Sequence, residues 1–412
     1  MGYVVAALAS LTSYQRRLFV FLGVASFFEG YDFFALSQVL PNLRADFGLD
    51  KADIGWLVFI VNLGTVVAYL LIRKADQWGR RKVLTITIAG YTAATFASGL
   101  APDPWSFAAL QFVGRIFLIG EWAIAMVFAA EEFPAARRGM VIGVLTATAA
   151  LGSIVCAGLA PILLKSAIGW RLVYLVSVPP LILLAIARRG LRESERFESM
   201  TVEERKQRRP FTAILKSPYA PRLFLVAAVW MFTYASLHTA VTFFKEYAVS
   251  DRGFTDGMVG QSITIAALVA MPLAFSVGWL MDRIGRKPGA VLIFVTSIGG
   301  VVGTYSLETQ TPITIALIFG VFGATAVPAV LNAFSTELFP TEWRSDAFAW
   351  ANNLLGRIGY VIAPLVVALV AEDTGWGIAV ASTAVFPVVG LAIILLKLPE
   401  TRGRELEDTA SL

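Results

Sequence analysis

Phe28-Glu29-Gly30-Tyr31-Asp32 sets two carboxylates at i and i+3, on one face of any helix formed there, inside an otherwise apolar run. A charge at mid-bilayer costs roughly 2.5–3.5 kcal/mol on insertion scales, so an ionisable residue kept there is a functional candidate by default. At the helical rise, Glu29 lies about 16 Å from the cytoplasmic end of its run and Asp32 slightly farther out, a placement suited to carrying a proton. Arg115 lies about 15 Å from the outer end of another apolar run, at nearly the depth of Glu29. Its planar, bidentate guanidinium suits a carboxylate, either of a substrate or of Glu29 or Glu121. Glu121 is turned roughly 120° around the helix from Arg115, which ranks it below Glu29 and Asp32.

His238, the one histidine of the chain, titrates in the range that brackets neutral pH. Trp230, Tyr234, His238, Val241 and Lys245 recur at i, i+4, i+8, i+11 and i+15, an aromatic and polar stripe able to stack a planar ligand. Lys245, near the outer end, is expected to snorkel. Arg357 lies about 15 Å into a later run with Asn353 one turn behind it on the same face. Either substrate contact or an interhelical tie explains that pair. Arg115, Tyr31, Tyr234, His238, Arg357, Asn353, Trp230 and Glu121 form the expected substrate-binding set, and Asp32, Glu29 and His238 the expected proton-coupling set. One cysteine, Cys156, excludes an intramolecular disulfide, and one His with one Cys argues against a metal cluster, so neither metal nor cofactor is expected.

These residues need a membrane scaffold. The 412 residues are 57% hydrophobic and 15% charged, with a mean hydropathy of +0.71, more apolar surface than a soluble domain could bury. A span takes about 20 apolar residues, and such runs are read at approximately 18–40, 53–72, 83–101, 105–130, 140–164 and 170–188. A second series follows at approximately 222–248, 258–281, 288–306, 312–334, 347–371 and 375–396. Backbone groups in lipid must bond internally, and the runs lack the alternation of barrel strands, so the fold expected is all-α with twelve transmembrane helices. The domains read as an N-terminal six-helix bundle (1–188), a cytoplasmic linker (189–221), a C-terminal six-helix bundle (222–396) and a cytoplasmic tail (397–412).

The net charge of +5 does not point to nucleic acid, because the basic residues sort by loop. Arg16-Arg17, Arg73-Lys74, Arg80-Arg81-Lys82, Arg137-Arg138, Arg283, Arg286-Lys287, Arg344, Arg402 and Arg404 occupy alternate connections, which puts both termini in the cytoplasm. The N-terminus lacks the pattern of a cleaved signal peptide, and no N-x-S/T sequon occurs, which agrees with a bacterial inner membrane.

The chain also repeats itself. At an offset of 206 residues, half its length, Asp76, Gly79, Arg80 and Arg81 fall on Asp282, Gly285, Arg286 and Lys287. Glu131, Phe133, Pro134 and Arg138 fall on Glu337, Phe339, Pro340 and Arg344, and Gly169-Trp170 on Gly375-Trp376. Two similar halves flanking a working site are the expected result. Within the membrane the register breaks: Asp32 meets His238, Glu29 meets Ala235, Arg115 meets Val321 and Arg357 meets Leu151. Those departures mark where substrate and proton are expected to bind.

The Asp76-x-x-Gly79-Arg80-Arg81-Lys82 turn and its copy resemble the signature loop of the major facilitator superfamily, a resemblance that covers essentially the whole chain. Gly120-Glu121-Trp122 with Glu131-Glu132-Phe133-Pro134-x-x-x-Arg138-Gly139 is similar to the fourth helix and exit loop of its branch of sugar porters, organic-ion transporters and metabolite–proton symporters. Glu337-Leu338-Phe339-Pro340-x-x-x-Arg344, Arg192-Glu193-Ser194-Glu195-Arg196-Phe197 and Pro399-Glu400-Thr401-Arg402-Gly403 resemble further motifs of that branch, and the span-1 acids resemble an element of aromatic-acid symporters. The branch carries its span-4 arginine where this chain has Gln111. The resemblance implies alternating access around a midplane cavity lined by spans 1, 4, 7 and 10. It also implies that Asp76, Arg80, Glu131, Arg138, Asp282, Arg286, Glu337 and Arg344 are cytoplasmic latches that bias the outward-facing state; charge pairs across a moving interface would do so.

The expected function is secondary active transport, proton-coupled symport of a small organic anion, a carboxylate and in the narrower reading an aromatic one. Sodium is the alternative coupling ion. A proton-antiport exporter of organic cations or drugs and a sugar or polyol symporter are the alternatives for substrate; a non-transporting sensor ranks last. No G-x-x-x-x-G-K-S/T loop holds ATP, and no G-x-S-x-G or H-E-x-x-H motif supports an enzyme. The expected partners are a small-molecule substrate, the coupling ion and the bilayer, with the chain a monomer.

Overall fold

The computed structural model describes residues 11–187, 192 and 210–403, without the side chains of 70, 73–77, 135–136 and 185. The Asp76 side chain therefore lies outside the described residues, as do most of the 189–221 linker with its 193–197 motif and the tail beyond Gly403.

Every apolar run is helical. Span 1 is Ser13–Phe47, span 2 Lys51–Trp78, span 3 Arg80–Ser98, span 4 Pro104–Glu132 and span 5 Ala135–Leu163, and span 6 is built of Arg171–Leu175 and Val178–Ala187. In the second half span 7 is Ala220–Ser250, span 8 Asp256–Phe275 continued by Val277–Ile284, span 9 Arg286–Ser306 and span 10 Gln310–Glu337. Thr341–Lys397 carries spans 11 and 12, separated where Gly375 takes a φ of 79°. Among the described residues nine helices are long and apolar enough to cross a membrane; that 57-residue one holds two crossings, and spans 3 and 6 complete the twelve. No strand occurs among the described residues.

Helix starts follow local chemistry. Thr12 and Gln15 exchange bonds, Gln15 N–H to Thr12 Oγ1 at 3.1 Å and Thr12 N–H to Gln15 Oε1 at 3.2 Å, a capping box at the entry of span 1. Asp103 Oδ1 accepts from the N–H groups of Trp105 and Ser106, with Pro104 in the first turn, and starts span 4. Gly79 and Gly285, the repeat mates in the signature turns, have φ of 95° and 106°, a region a side chain rarely adopts.

Contacts divide the chain into two compact units, Met1–Leu43 with Ile60–Arg208 and Arg44–Phe59 with Arg209–Leu412. In the first, Leu18, Phe21 and Leu22 of span 1 pack with Val83, Leu84 and Ile88 of span 3, Phe128 of span 4, Leu145 of span 5 and Leu181 of span 6. Spans 1 and 5 touch backbone to backbone: a Cβ on Gly152 would penetrate the carbonyl of Phe27 and one on Gly30 that of Ala149. Small residues permit such contact, the form of helix association that works without a hydrophobic drive in lipid. Gly152→Ala is therefore expected to cost about 1–3 kcal/mol by forcing the spans apart. Gly143→Ala in the same helix meets nothing within 4 Å and serves as control. Melting in detergent, lower for the first variant and unchanged or higher for the second, checks this.

Candidate functional site

In the first unit the polar residues converge from spans 1, 3 and 4. Asp32 is 6% exposed, and its Oδ2 accepts from the hydroxyl of Tyr91 and, at 3.2 Å, from that of Thr95. Tyr91 and Thr95 stand one turn apart on span 3, so a single helix face holds this carboxylate. Arg115 is 5% exposed with its guanidinium 4.7 Å from the ring centre of Phe33. It acts electrostatically on both Glu29 and Asp32, as Glu121 does. Among the described residues no ion pair joins Arg115 to any of the three acids; Arg115 Nη1, Glu29 Oε2, Asp32 Oδ1 and Glu121 Oε2 are all buried without a hydrogen-bond partner. Native proteins rarely leave such atoms without a partner, and four in one cluster make it a candidate site. Glu121, turned away from Arg115 by helical phase, still belongs to it. Tyr31 faces elsewhere: it is buried and donates to the Val173 carbonyl of span 6 at 3.1 Å.

The second unit holds an aromatic and cationic cluster on spans 7 and 11. His238 stacks on Tyr360, ring centres 3.5 Å apart at 15°, and Nε2 lies 3.3 Å from Thr242 Oγ1. Tyr234 meets Tyr360 edge to face at 5.6 Å, and the Arg357 guanidinium lies 5.2 Å from the first ring centre and 4.8 Å from the second. Trp230, 1% exposed, packs behind Tyr234 at 5.3 Å and donates to Ser335 Oγ at 3.0 Å, so its N–H is already engaged. The Tyr234 hydroxyl donates to Asn352 Oδ1 at 2.7 Å.

Asn352, the neighbour of the expected Asn353, thus faces span 7. The cause is a π turn over Ala349–Leu355, where Gly356 N–H bonds the Ala351 carbonyl five residues back. The widened turn shifts the angular phase that regular helical spacing assumes, and π turns recur at functional positions. Tyr91, Thr95, Asn352 and Tyr360 are the residues that sequence reasoning missed. Only the i, i+4 spacing of Tyr91 and Thr95 within an apolar helix hinted at any of them. Lys245 does not snorkel: it is 1% exposed and paired with Asp256 at 2.7 Å, because the span 8 entry supplies an anion where solvent was expected. The repeat mates Asp32 and His238 also address different neighbours, span 3 in one unit and span 11 in the other.

The signature turns form the same ion pair twice. Arg80 donates to Glu131 from Nε at 3.3 Å and Nη2 at 3.0 Å, and Arg286 to Glu337 from Nε at 3.3 Å and Nη2 at 2.9 Å. Each pair lies inside one unit, joining the start of a third helix to the end of a fourth. Arg286 Nη1 also meets Asp282 at 2.7 Å. Arg344 donates to the Thr336 carbonyl at 2.8 Å, whereas Nε of its mate Arg138 is buried without a partner.

The Pro399-Glu400-Thr401 motif completes the second copy. Glu400 accepts from the N–H groups of Arg286 (2.9 Å) and Lys287 (2.8 Å), capping span 9, whose N-cap Gly285 has no side chain, and Thr401 donates to Glu337. Partial burial raises the Glu400 carboxyl, but the N–H groups of Lys287, Arg286, Arg402 and Thr401 outweigh it and hold the group below the usual 4.5. A depressed carboxylate stabilises the fold above its unfolded value and loses that contribution as pH falls through the folded one. Glu400→Gln is expected to lower stability by about 1 kcal/mol at pH 7, the ordinary worth of a cap on a half-exposed helix start. The difference from wild type should vanish at acid pH, below the folded value, in melting curves recorded across pH.

Residues 22–364 match the family model described as Major Facilitator Superfamily. This chain belongs to that superfamily. It is accordingly a multi-pass membrane transporter and not an enzyme. It is similar to a niacin transporter of Acinetobacter baylyi (25% identical, over 94% of each chain) and to a gallate transporter of Pseudomonas putida (26%, over 86% of this chain and 85% of that one). Its fold is similar to that of the xylose transporter XylE from E. coli, a structure described as the inward open conformation of that protein, with a TM-score of 0.78 at 16% identity over 95% of this chain and 98% of that one. The all-α, twelve-helix fold expected from the sequence is the fold observed.

Proposed function

We propose that this transporter moves a small carboxylate borne on an aromatic or comparably planar ring, in symport with protons, by alternating access. The observation that carries the reading is the Arg357 guanidinium laid against Tyr234 and Tyr360, with His238 stacked on the latter. Such a surface offers a fixed positive fork for a carboxylate and flat faces for a ring. Names of relatives that carry niacin and gallate, both ring carboxylates, support the same class.

Coupling is assigned to the acid cluster of the first unit together with His238 of the second. Glu29, Asp32 and Glu121 set three carboxylates against the one guanidinium of Arg115, so a neutral cluster takes up cations, and protons are the ones that leave no void to fill. Asp32, held by Tyr91 and Thr95, is the principal carrier, with Glu29 and His238 as further titrating groups; Arg115 is the second candidate for the substrate anion. The Arg80–Glu131 and Arg286–Glu337 pairs, with Asp76, Asp282, Arg138 and Arg344, are assigned to conformational bias. The loop distribution of basic residues supports cytoplasmic termini, and the absence of N-x-S/T sequons agrees with a bacterial inner membrane.

The acid cluster itself favours a second reading, antiport of an organic cation. Proteoliposomes under an imposed pH gradient separate the two. Accumulation of a labelled pyridine or benzene carboxylate, abolished by a protonophore and independent of sodium, is the expected result; accumulation of amines alone would overturn it.

A further inference from the structure

We infer that an anionic glycerophospholipid of the cytoplasmic leaflet binds a groove between spans 1 and 6 of the first unit, its phosphate on Arg16 and Arg17 and an acyl chain below them. The groove measures about 540 Å³ and is lined by Arg16, Arg17, Val20, Val24, Pro180 and Leu183, with the adjoining Phe21, Leu184 and Ala187. Its polarity is graded along the membrane normal. Arg16, Val20 and Val24 follow one another at i, i+4 and i+8 on one helix face, so the cations stand at the cytoplasmic end and the wall beneath is aliphatic.

Three observations select the occupant. Val20 is 62% exposed and Leu183 67%, so the wall is open to a hydrocarbon chain along its length. Arg16 and Arg17 are exposed, and neither side chain has a hydrogen-bond or ion-pair partner among the described residues. Both lie in the first turns of span 1, where the positive end of the helix dipole disfavours cations and favours an anion held between them. Charge at the rim and hydrocarbon below match a phospholipid in a way that a soluble phosphate, which has no use for the aliphatic wall, does not. The site is separate from the acid and aromatic clusters and does not depend on which substrate is carried.

The full-length protein, purified and delipidated in detergent, is to be titrated with phosphatidylglycerol, phosphatidylcholine, soluble glycerol phosphate and inorganic phosphate, reading thermal stabilisation and lipid retained in native mass spectra. Phosphatidylglycerol alone is expected to bind and stabilise. Arg16→Gln with Arg17→Gln should weaken its apparent affinity about 30-fold, the factor for two basic side chains at an anionic surface. Leu183→Trp, which fills the wall and leaves both arginines, should weaken it as well. Equal stabilisation by phosphatidylcholine, equal stabilisation by the soluble phosphates, or a double variant that binds phosphatidylglycerol like wild type would each overturn the assignment. Because both positions are exposed, loss of folding is not expected, and an unchanged melting temperature without lipid verifies it.

Discussion

Asp32→Asn is expected to lose all accumulation driven by a pH gradient while retaining counterflow exchange of labelled for unlabelled substrate. The substitution is nearly isosteric, and the amide oxygen can still accept from Tyr91 and Thr95, so the local packing of spans 1 and 3 is kept. What disappears is a group able to take and release a proton during the cycle. Exchange, which needs only the substrate-loaded carrier to change conformation, does not require that step. A second signature accompanies the first: wild-type exchange varies with pH across the titration of the carrier, and the variant should lose that dependence. Glu29→Gln and Glu121→Gln test the other two carboxylates by the same pair of assays. Normal gradient-driven accumulation by Asp32→Asn would remove Asp32 from the coupling role and leave it as a hydrogen-bonded tie between spans 1 and 3.

Arg357→Ala is expected to raise KM for the carboxylate substrate about 30- to 150-fold, the loss of one charge-assisted contact of about 2–3 kcal/mol. Arg357→Lys should recover little. Lysine supplies the charge as a compact point and lacks the planar fork that the guanidinium sets beside the Tyr234 and Tyr360 rings. Tyr234→Phe, which keeps the ring and removes only the bond to Asn352, should shift KM by a few-fold at most. The measurement distinguishes recognition from architecture, because a purely interhelical role for Arg357 predicts a lower melting temperature with KM unchanged. Direct binding of a ring carboxylate by Arg357→Ala with wild-type affinity would refute the assignment.

The two clusters differ in how far the sequence revealed them. Glu29, Asp32, Arg115 and Arg357 stood out because charge in an apolar run is costly, and that cost is a property of the residue and its run. Tyr91, Thr95 and Tyr360 did not, because a hydroxyl on an apolar helix is unremarkable until its partner on another helix is known. Asn352 was hidden for a different reason. The π turn changes helical phase, and no residue type in Ala349–Leu355 announces it.

The cytoplasmic turns show the same division. Repeat register matched Arg80 with Arg286 and Glu131 with Glu337, but matching positions across two halves does not say which residues touch. The structure joins arginine to glutamate inside each half, twice, and then adds Glu400 and Thr401 to the second copy alone. Likewise Lys245 reads as a snorkelling side chain in its own helix and becomes a buried ion pair only because Asp256 begins the next one.

The sequence by itself determined the solvent, the helices, the twofold repeat, the family and the charged residues inside the membrane, since each follows from hydrophobicity, spacing or register along one chain. Tertiary structure alone decided which hydroxyls hold Asp32, which aromatic rings flank Arg357 and which arginine meets which glutamate in the cytoplasmic turns. Those are contacts between helices distant in sequence, and their partners are selected by packing rather than by local pattern.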